Sequence, residues 1–306
     1  MTFRKKDGAI IELQPHEVMR FSSDRPLREL YRVEIDQQIE ALKKGVEAGV
    51  LDKTPQESMA LEIISEHSFA FAPVIYRFEY AEPSLMSEKG FIYGNLGKYI
   101  YNSRAVMCEV SLEYGAGKLN YDGSTVGGTP VSADTEDYIL EFRSLVGGNI
   151  HQGKTRIIPF VGFGVRYWND TIIASGGYER QILYYYSPIG VKTKRPLSDR
   201  WFWSLNAEYD LFWKGLVKSH LSDVDPSLND PEVNQNFGDG FGIRFSIQFK
   251  NIISEKFSWY IEPFFRYWDV SESDTAILAS YGVPIGIVYE PDNNTTSYGL
   301  FFGFRF

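Results

Sequence analysis

The chain has 306 residues, room for one large domain or two modest ones, and its formal net charge of −9 argues against a nucleic-acid partner, whose phosphates need a basic face. Aromatics supply 16% of the residues and glycine 27 of them, a mix suited to strands and tight turns. A mean hydropathy of −0.25 is compatible with a membrane barrel, in which only every second strand residue meets lipid, and the lack of any apolar run of about eighteen residues excludes a transmembrane helix.

Residues 1–20 contain Arg4, Lys5, Lys6 and Asp7 but no apolar h-region, so no export signal is visible and one is expected to have been removed, trimmed away or lost to a wrong start site. Asp7-Gly8 between short apolar runs predicts a hairpin or turn. Ser23-Asp24 before Pro26 is a helix start, and Leu27, Leu30, Tyr31, Ile35, Ile39, Leu42 and Val46 follow as one apolar stripe, ending near Gly45 or Gly49. Thr54-Pro55-Gln56-Glu57 reads as a capping box opening a second helix. Residues 1–68 are therefore expected to form a small helical region, a periplasmic or plug element or a partner-binding helix, ahead of a barrel over residues 69–306.

From Phe69 the period becomes two, and ten strands are predicted. The first sets Val74, Tyr76, Phe78 and Tyr80 against Arg77 and Glu79; the third sets Cys108, Val110, Leu112 and Tyr114 against Glu109, Ser111 and Glu113. The fourth sets Tyr138, Leu140 and Phe142 against Glu141 and Arg143, and the fifth Val161, Phe163, Val165 and Tyr167 against Gly162, Gly164 and Arg166. The seventh sets Leu205, Ala207, Tyr209 and Leu211 against Glu208 and Asp210, and the eighth Phe241, Ile243, Phe245 and Ile247 against Arg244 and Gln248. The ninth sets Trp259, Ile261, Phe265 and Tyr267 against Glu262 and Arg266; the last sets Tyr298, Leu300, Phe302, Phe304 and Phe306 against Arg305. The second (Phe91–Tyr101) and sixth (Ile182–Thr193) alternate less cleanly.

A soluble sandwich, such as a secreted all-β domain, also alternates. Two patterns favour an antiparallel up-and-down transmembrane β-barrel instead. Long links (81–90, 117–137, 169–181, 214–239, 270–295) alternate with short ones (102–105, 148–155, 194–200, 250–256), as outer loops alternate with periplasmic turns. Trp168, Trp201, Trp203, Trp213, Trp259 and Trp268 fall near strand ends, where an aromatic girdle would meet the headgroups.

The closing segment from Ser297 to Phe306, with Tyr298, Phe302, Phe304 and Phe306 in alternation, resembles the terminal strand of Gram-negative outer-membrane barrels, which implies recognition by the barrel-assembly machinery and contact with outer-membrane lipid and lipopolysaccharide. Glu82–Gly90, Ser219–Pro226 and Asn293–Thr296 also resemble an uncharacterised family of such barrels. Ten strands with long loops resemble the omptin proteases, whose Asp pair and Asp–His pair would correspond to His220, Asp223 and Asp225 with Asp122, Asp134 and Asp137; His220 lacks the acidic neighbour of that family, standing between Ser219 and Leu221.

The predicted lumen carries Arg77, Arg143, Arg166, Arg244, Arg266 and Arg305 opposite Glu79, Glu109, Glu113, Glu141, Glu208, Asp210 and Glu262, an expected cross-lumen ion-pair network, since an unpaired buried charge costs several kcal/mol. Asp223, Asp225 and Asp230 form a weak Ca²⁺ candidate lacking the glycine and terminal glutamate of an EF-hand. Cys108 is the sole cysteine, and no cofactor motif is present. The expected role is structural or interactive, with partners bound through outer loops or residues 1–68; a narrow small-solute channel and an omptin-like hydrolase are the alternatives.

Overall fold

The computed structural model describes residues 2–4, 10–12, 67–124, 128–254 and 256–306. The chain divides into two compact units, Met1–Ser58 and Met59–Phe306. In the first, Thr2–Arg4 pairs antiparallel with Ile10–Glu12, the hairpin that Asp7-Gly8 predicts. The two expected helices, within residues 24–66, lie outside the described residues.

The second unit is built of ten long strands: β1 (His67–Glu82), β2 (Met86–Asn102), β3 (Val106–Ser124), β4 (Pro130–Gly148), β5 (Thr155–Ile173), β6 (Glu179–Pro196), β7 (Trp201–Ser219), β8 (Gly240–Ser254), β9 (Phe257–Val270) and β10 (Asn293–Arg305). Each pairs antiparallel with the next, and β10 pairs with β1, so the sheet closes with no free edge. Outside this seam Phe69 and Phe306 exchange backbone bonds of 3.1 and 2.8 Å.

Alternation fixes the two faces. On β3, Val110, Leu112 and Tyr114 are exposed on the wall while Glu109, Ser111 and Glu113 are buried inside, and β8 and β10 repeat the pattern. Strand β1 corrects the expectation. Ala70, Ala72, Val74, Tyr76, Phe78 and Tyr80 are its buried inner face, and Phe69, Phe71 and Ile75 its outer one. Both faces are apolar, so the charges Arg77 and Glu79 could not reveal which faced in; they lie on the outside, 3.2 Å from each other.

Several expected outer loops prove to be strand. β1 and β2 are joined by only residues 83–85, where Ser84 has φ 69° and the Leu85 N–H reaches the Glu82 carbonyl at 3.0 Å. β3 and β4 run on as a long hairpin through most of 117–137. True loops remain at 220–239 and 271–292. The second carries a hairpin, Ala276–Ser280 with Val283–Val288, whose Tyr281-Gly282 turn has positive φ at both residues. Asn229 fastens it to the first loop: its Nδ2 donates to the Ile277 carbonyl (3.0 Å) and its Oδ1 accepts from the Ala279 N–H (2.7 Å). Ile277, Val283, Ile285 and Ile287 remain exposed on the hairpin.

Tyrosine rings fill the lumen against glycine. Gly164 opposes Tyr186, Gly303 opposes Tyr260 and Gly299 opposes Tyr76 on neighbouring strands. A Cβ on Gly164 would sit 2.2 Å from the Tyr186 ring and one on Gly303 2.1 Å from that of Tyr260, so only glycine admits these rings.

Candidate functional site

The lumen holds three layers of polar side chains. Nearest the loop end, Arg180 of β6 donates from Nε to Asp170 (2.9 Å) and from Nη1 to Glu82 (2.9 Å) and Glu290 (3.1 Å), with Glu88 at 3.7 Å from Nη2. The Tyr80 hydroxyl lies 2.9 Å from Glu82 and 2.8 Å from Glu290. Glu290 comes from the 271–292 loop, so this cluster ties that loop into the barrel mouth. Burial pushes its carboxyl up to about 7, with Arg180 opposing the shift and Glu82 adding to it. Asp137 accepts from Trp168 Nε1 at 2.9 Å and from the Thr135 hydroxyl.

Below lies an aromatic layer. Trp268 packs on Tyr184 (5.7 Å between centroids) and Tyr186 (5.0 Å), and Trp168 on Phe78 (5.1 Å). Arg166 stands among these rings, 5.9 Å from Phe78, Trp168 and Tyr184, and forms no ion pair among the described residues. The expected pairing therefore fails for Arg166, which is held by cation–π contact instead.

The middle layer is the densest. Arg244 donates to Asp210 (2.6 Å), to both oxygens of Glu141 and to the Tyr186 hydroxyl (3.0 Å), which itself donates to Glu141 at 2.6 Å. Arg266 binds Glu113 bidentately at 2.9 and 2.7 Å, and Arg143 pairs with Glu208. Toward the turn end, Lys192 meets Glu109 at 2.7 Å, Glu262 accepts from Ser246 (2.7 Å) and Gln248 (2.8 Å), and Arg305 donates to Ser68 at 2.9 Å. A cavity of about 160 Å³ opens among these side chains.

Of the predicted lumen charges, all but Arg77 and Glu79 thus lie inside. Sequence reasoning missed Glu82, Glu88, Asp170, Arg180 and Glu290, which fell in stretches read as loop, and Lys98 and Lys192, whose strands alternate poorly. Of the predicted girdle, Trp201, Trp203, Trp213 and Trp259 face out, with Trp201 and Trp259 edge to face at 5.5 Å. Trp168 and Trp268, 1% and 3% exposed, turn inward. Each is two residues from a lumen arginine, and strand parity outweighs nearness to a strand end. Tyr298, Phe302, Phe304 and Phe306 lie on the outer face of the last strand and its end.

The loop residues do not converge. His220 Nδ1 lies 3.3 Å from Asp230, while Asp223 accepts from the Glu179 N–H (3.2 Å) and Asp225 from the Ser227 N–H (2.9 Å). Asp134 accepts from Asn120 on the outer wall at 3.1 Å, far in role from buried Asp137. Each aspartate of the Ca²⁺ candidate is thus engaged separately, and among the described residues no three His, Cys, Asp or Glu side chains are grouped to hold a metal.

No protein-family model matches the chain, and no curated protein matches it. Solved structures do. The outer membrane protease OmpT from Escherichia coli superposes with a TM-score of 0.55 at 10% identity, covering 78% of this chain and 96% of that one. The translocator domain of the autotransporter NalP from Neisseria meningitidis gives 0.40 at 11% identity, covering 91% and 98%. At such identity the OmpT likeness establishes the fold of outer-membrane β-barrels and carries no activity across.

Proposed function

We propose that this protein is an outer-membrane β-barrel with a structural or interaction role, a non-conducting cylinder that presents its loop end to the cell exterior. The observation carrying this reading is the obstructed lumen: the Arg244 layer, the aromatic layer and the Arg180 cluster follow one another along the barrel. Ten strands leave little more room than the eight that side chains just fill. In planar bilayers the folded protein is expected to be silent; stable conductance steps would replace this reading with that of a narrow channel.

Two features of the wall support insertion. Glu79, Lys89, Asn120 and Asp134 are register neighbours on successive strands and all face out, a polar row above the apolar band. At the other end Trp201, Trp259 and Phe302 cluster outward, as interfacial aromatics do. Arg77, Lys89 and Lys118, outward near the loop end, suit lipopolysaccharide phosphates, and the outward aromatics of β10 suit reading by the barrel-assembly machinery. The fastened 220–239 and 271–292 loops, or residues 1–68, would carry any protein partner. Heat-modifiable migration on gels and recovery in the outer-membrane fraction test the placement; a chain soluble without detergent would sink it. The hydrolase reading draws only on the shared OmpT fold, because His220 meets Asp230 and not the expected aspartates.

A further inference from the structure

Given the membrane placement proposed for the barrel, we infer that the outer wall around Asn95 is an interface for a second copy of this chain, joined by the two Asn95 carboxamides. Strand β2 sets the depth. Its outward positions run from Lys89 in the polar row through Phe91, Tyr93, Asn95 and Gly97 to Tyr99 and Tyr101. The Tyr99 hydroxyl meets the His67 ring at 2.6 Å at the turn end, so one water line lies near Lys89 and the other near Tyr101. Asn95 stands six residues from each. That is about 20 Å of tilted strand either way, the middle of an apolar band about 25 Å tall. The side chain is exposed there and hydrogen-bonds to no described residue. Hydrocarbon offers it neither donor nor acceptor, and a polar group without a partner is costly in such a medium.

Depth and symmetry select the occupant. Copies inserted the same way carry Asn95 at the same level, and a two-fold axis along the membrane normal brings identical surfaces together. A carboxamide holds both donors and an acceptor, so two of them face to face can exchange a pair of hydrogen bonds. An acyl chain supplies neither half of that exchange. Relief permits the approach. Pro73 lies directly across from Asn95 on β1, and Gly97 follows two residues along β2, so the patch is low. Tyr93, Tyr114 and Phe302 border it as the sides of a shallow groove. Low surfaces with a polar centre are how protein segments meet within lipid. Two cylinders touching along about three strands of such a band share roughly 350 Å² a side, the scale of a weak, reversible association.

Sedimentation equilibrium of the full chain in density-matched detergent micelles, at several protein-to-detergent ratios, tests this. A reversible monomer–dimer equilibrium is expected, with more dimer at higher ratio. Asn95→Leu should weaken it about tenfold, the loss of two hydrogen bonds of modest strength within a membrane. The same variant should resist urea at least as well as the native barrel, because leucine suits the lipid face. Gly97→Leu should also weaken the dimer. A Cβ at Gly97 meets only a carbonyl oxygen at 4.0 Å, so this variant folds while its side chain holds a second copy away. Heat-modifiable migration certifies each variant as folded. A detergent-dependent, heat-modifiable barrel that stays monomeric at every ratio, or whose dimer is undiminished by either substitution, would overturn the inference and leave the membrane placement standing. A chain soluble without detergent would remove both.

Discussion

Arg244 uses four hydrogen bonds to hold two carboxylates and a phenol in the middle of the barrel. Arg244→Leu would strip buried Asp210 and Glu141 of their charged donor, leaving Glu141 the Tyr186 hydroxyl and Arg266 at 3.9 Å, and should cost about 3–5 kcal/mol in urea unfolding from micelles. Combining Arg244→Leu with Glu141→Gln and Asp210→Asn should recover most of that loss, because the triple variant removes the stranded charges too. Glu290 makes a second residue-level case. Its carboxyl, raised to about 7 in the fold from 4.5, binds its proton more tightly when the loop is docked. Its contribution is therefore complete below 4.5 and is lost as pH rises through about 7. Hydrogen exchange in 271–292, corrected for its intrinsic pH dependence, should be slowest at the acid end. Glu290→Gln should flatten the profile, although Glu82, Asp170 and Arg180 share the cluster.

The strand pairs show how a lumen is filled by two complementary choices on neighbouring strands. Gly164→Ala would put a methyl into the Tyr186 ring, displacing the hydroxyl that serves Glu141 and Arg244, at a cost of about 1–3 kcal/mol by thermal unfolding. By contrast Ile285→Lys on the outer hairpin should shift stability by no more than about 0.5 kcal/mol, since that side chain is 58% exposed. Such elements also show what a sequence carries. Where one face is charged and the other apolar, as on β3 and β8, a single chain reveals which side faces in. Where both are apolar, as on β1, nothing local breaks the tie, and the answer comes from the closed sheet that surrounds it. The missed Arg180 cluster has the same origin: Glu82, Glu88, Asp170 and Arg180 extend strands beyond the hydrophobic stretch that announces them, and their partnership spans four strands and a loop. Similarly, Gly164 reads as a bare strand glycine until Tyr186 is set across from it.

At the scale of the whole molecule, the ionic layers follow one another with a sign. Arg180 meets an excess of carboxylates near the loops, and the described residues lining the cavity near the turns include more cations than carboxylates. Closure is what encloses both. Removal of β10 should abolish the heat-resistant compact band altogether, because β1 and β9 would each be left with an open edge of backbone groups. That seam also joins residues 237 positions apart, Ser68 and Arg305. A ribosome delivers the first of these long before the second, so no complete cylinder can form while the chain is being made. Until then β1 exposes apolar side chains on both sides together with an unmet hydrogen-bonding edge, the makings of aggregation. The polypeptide accordingly becomes a barrel only after its final ribbon has arrived.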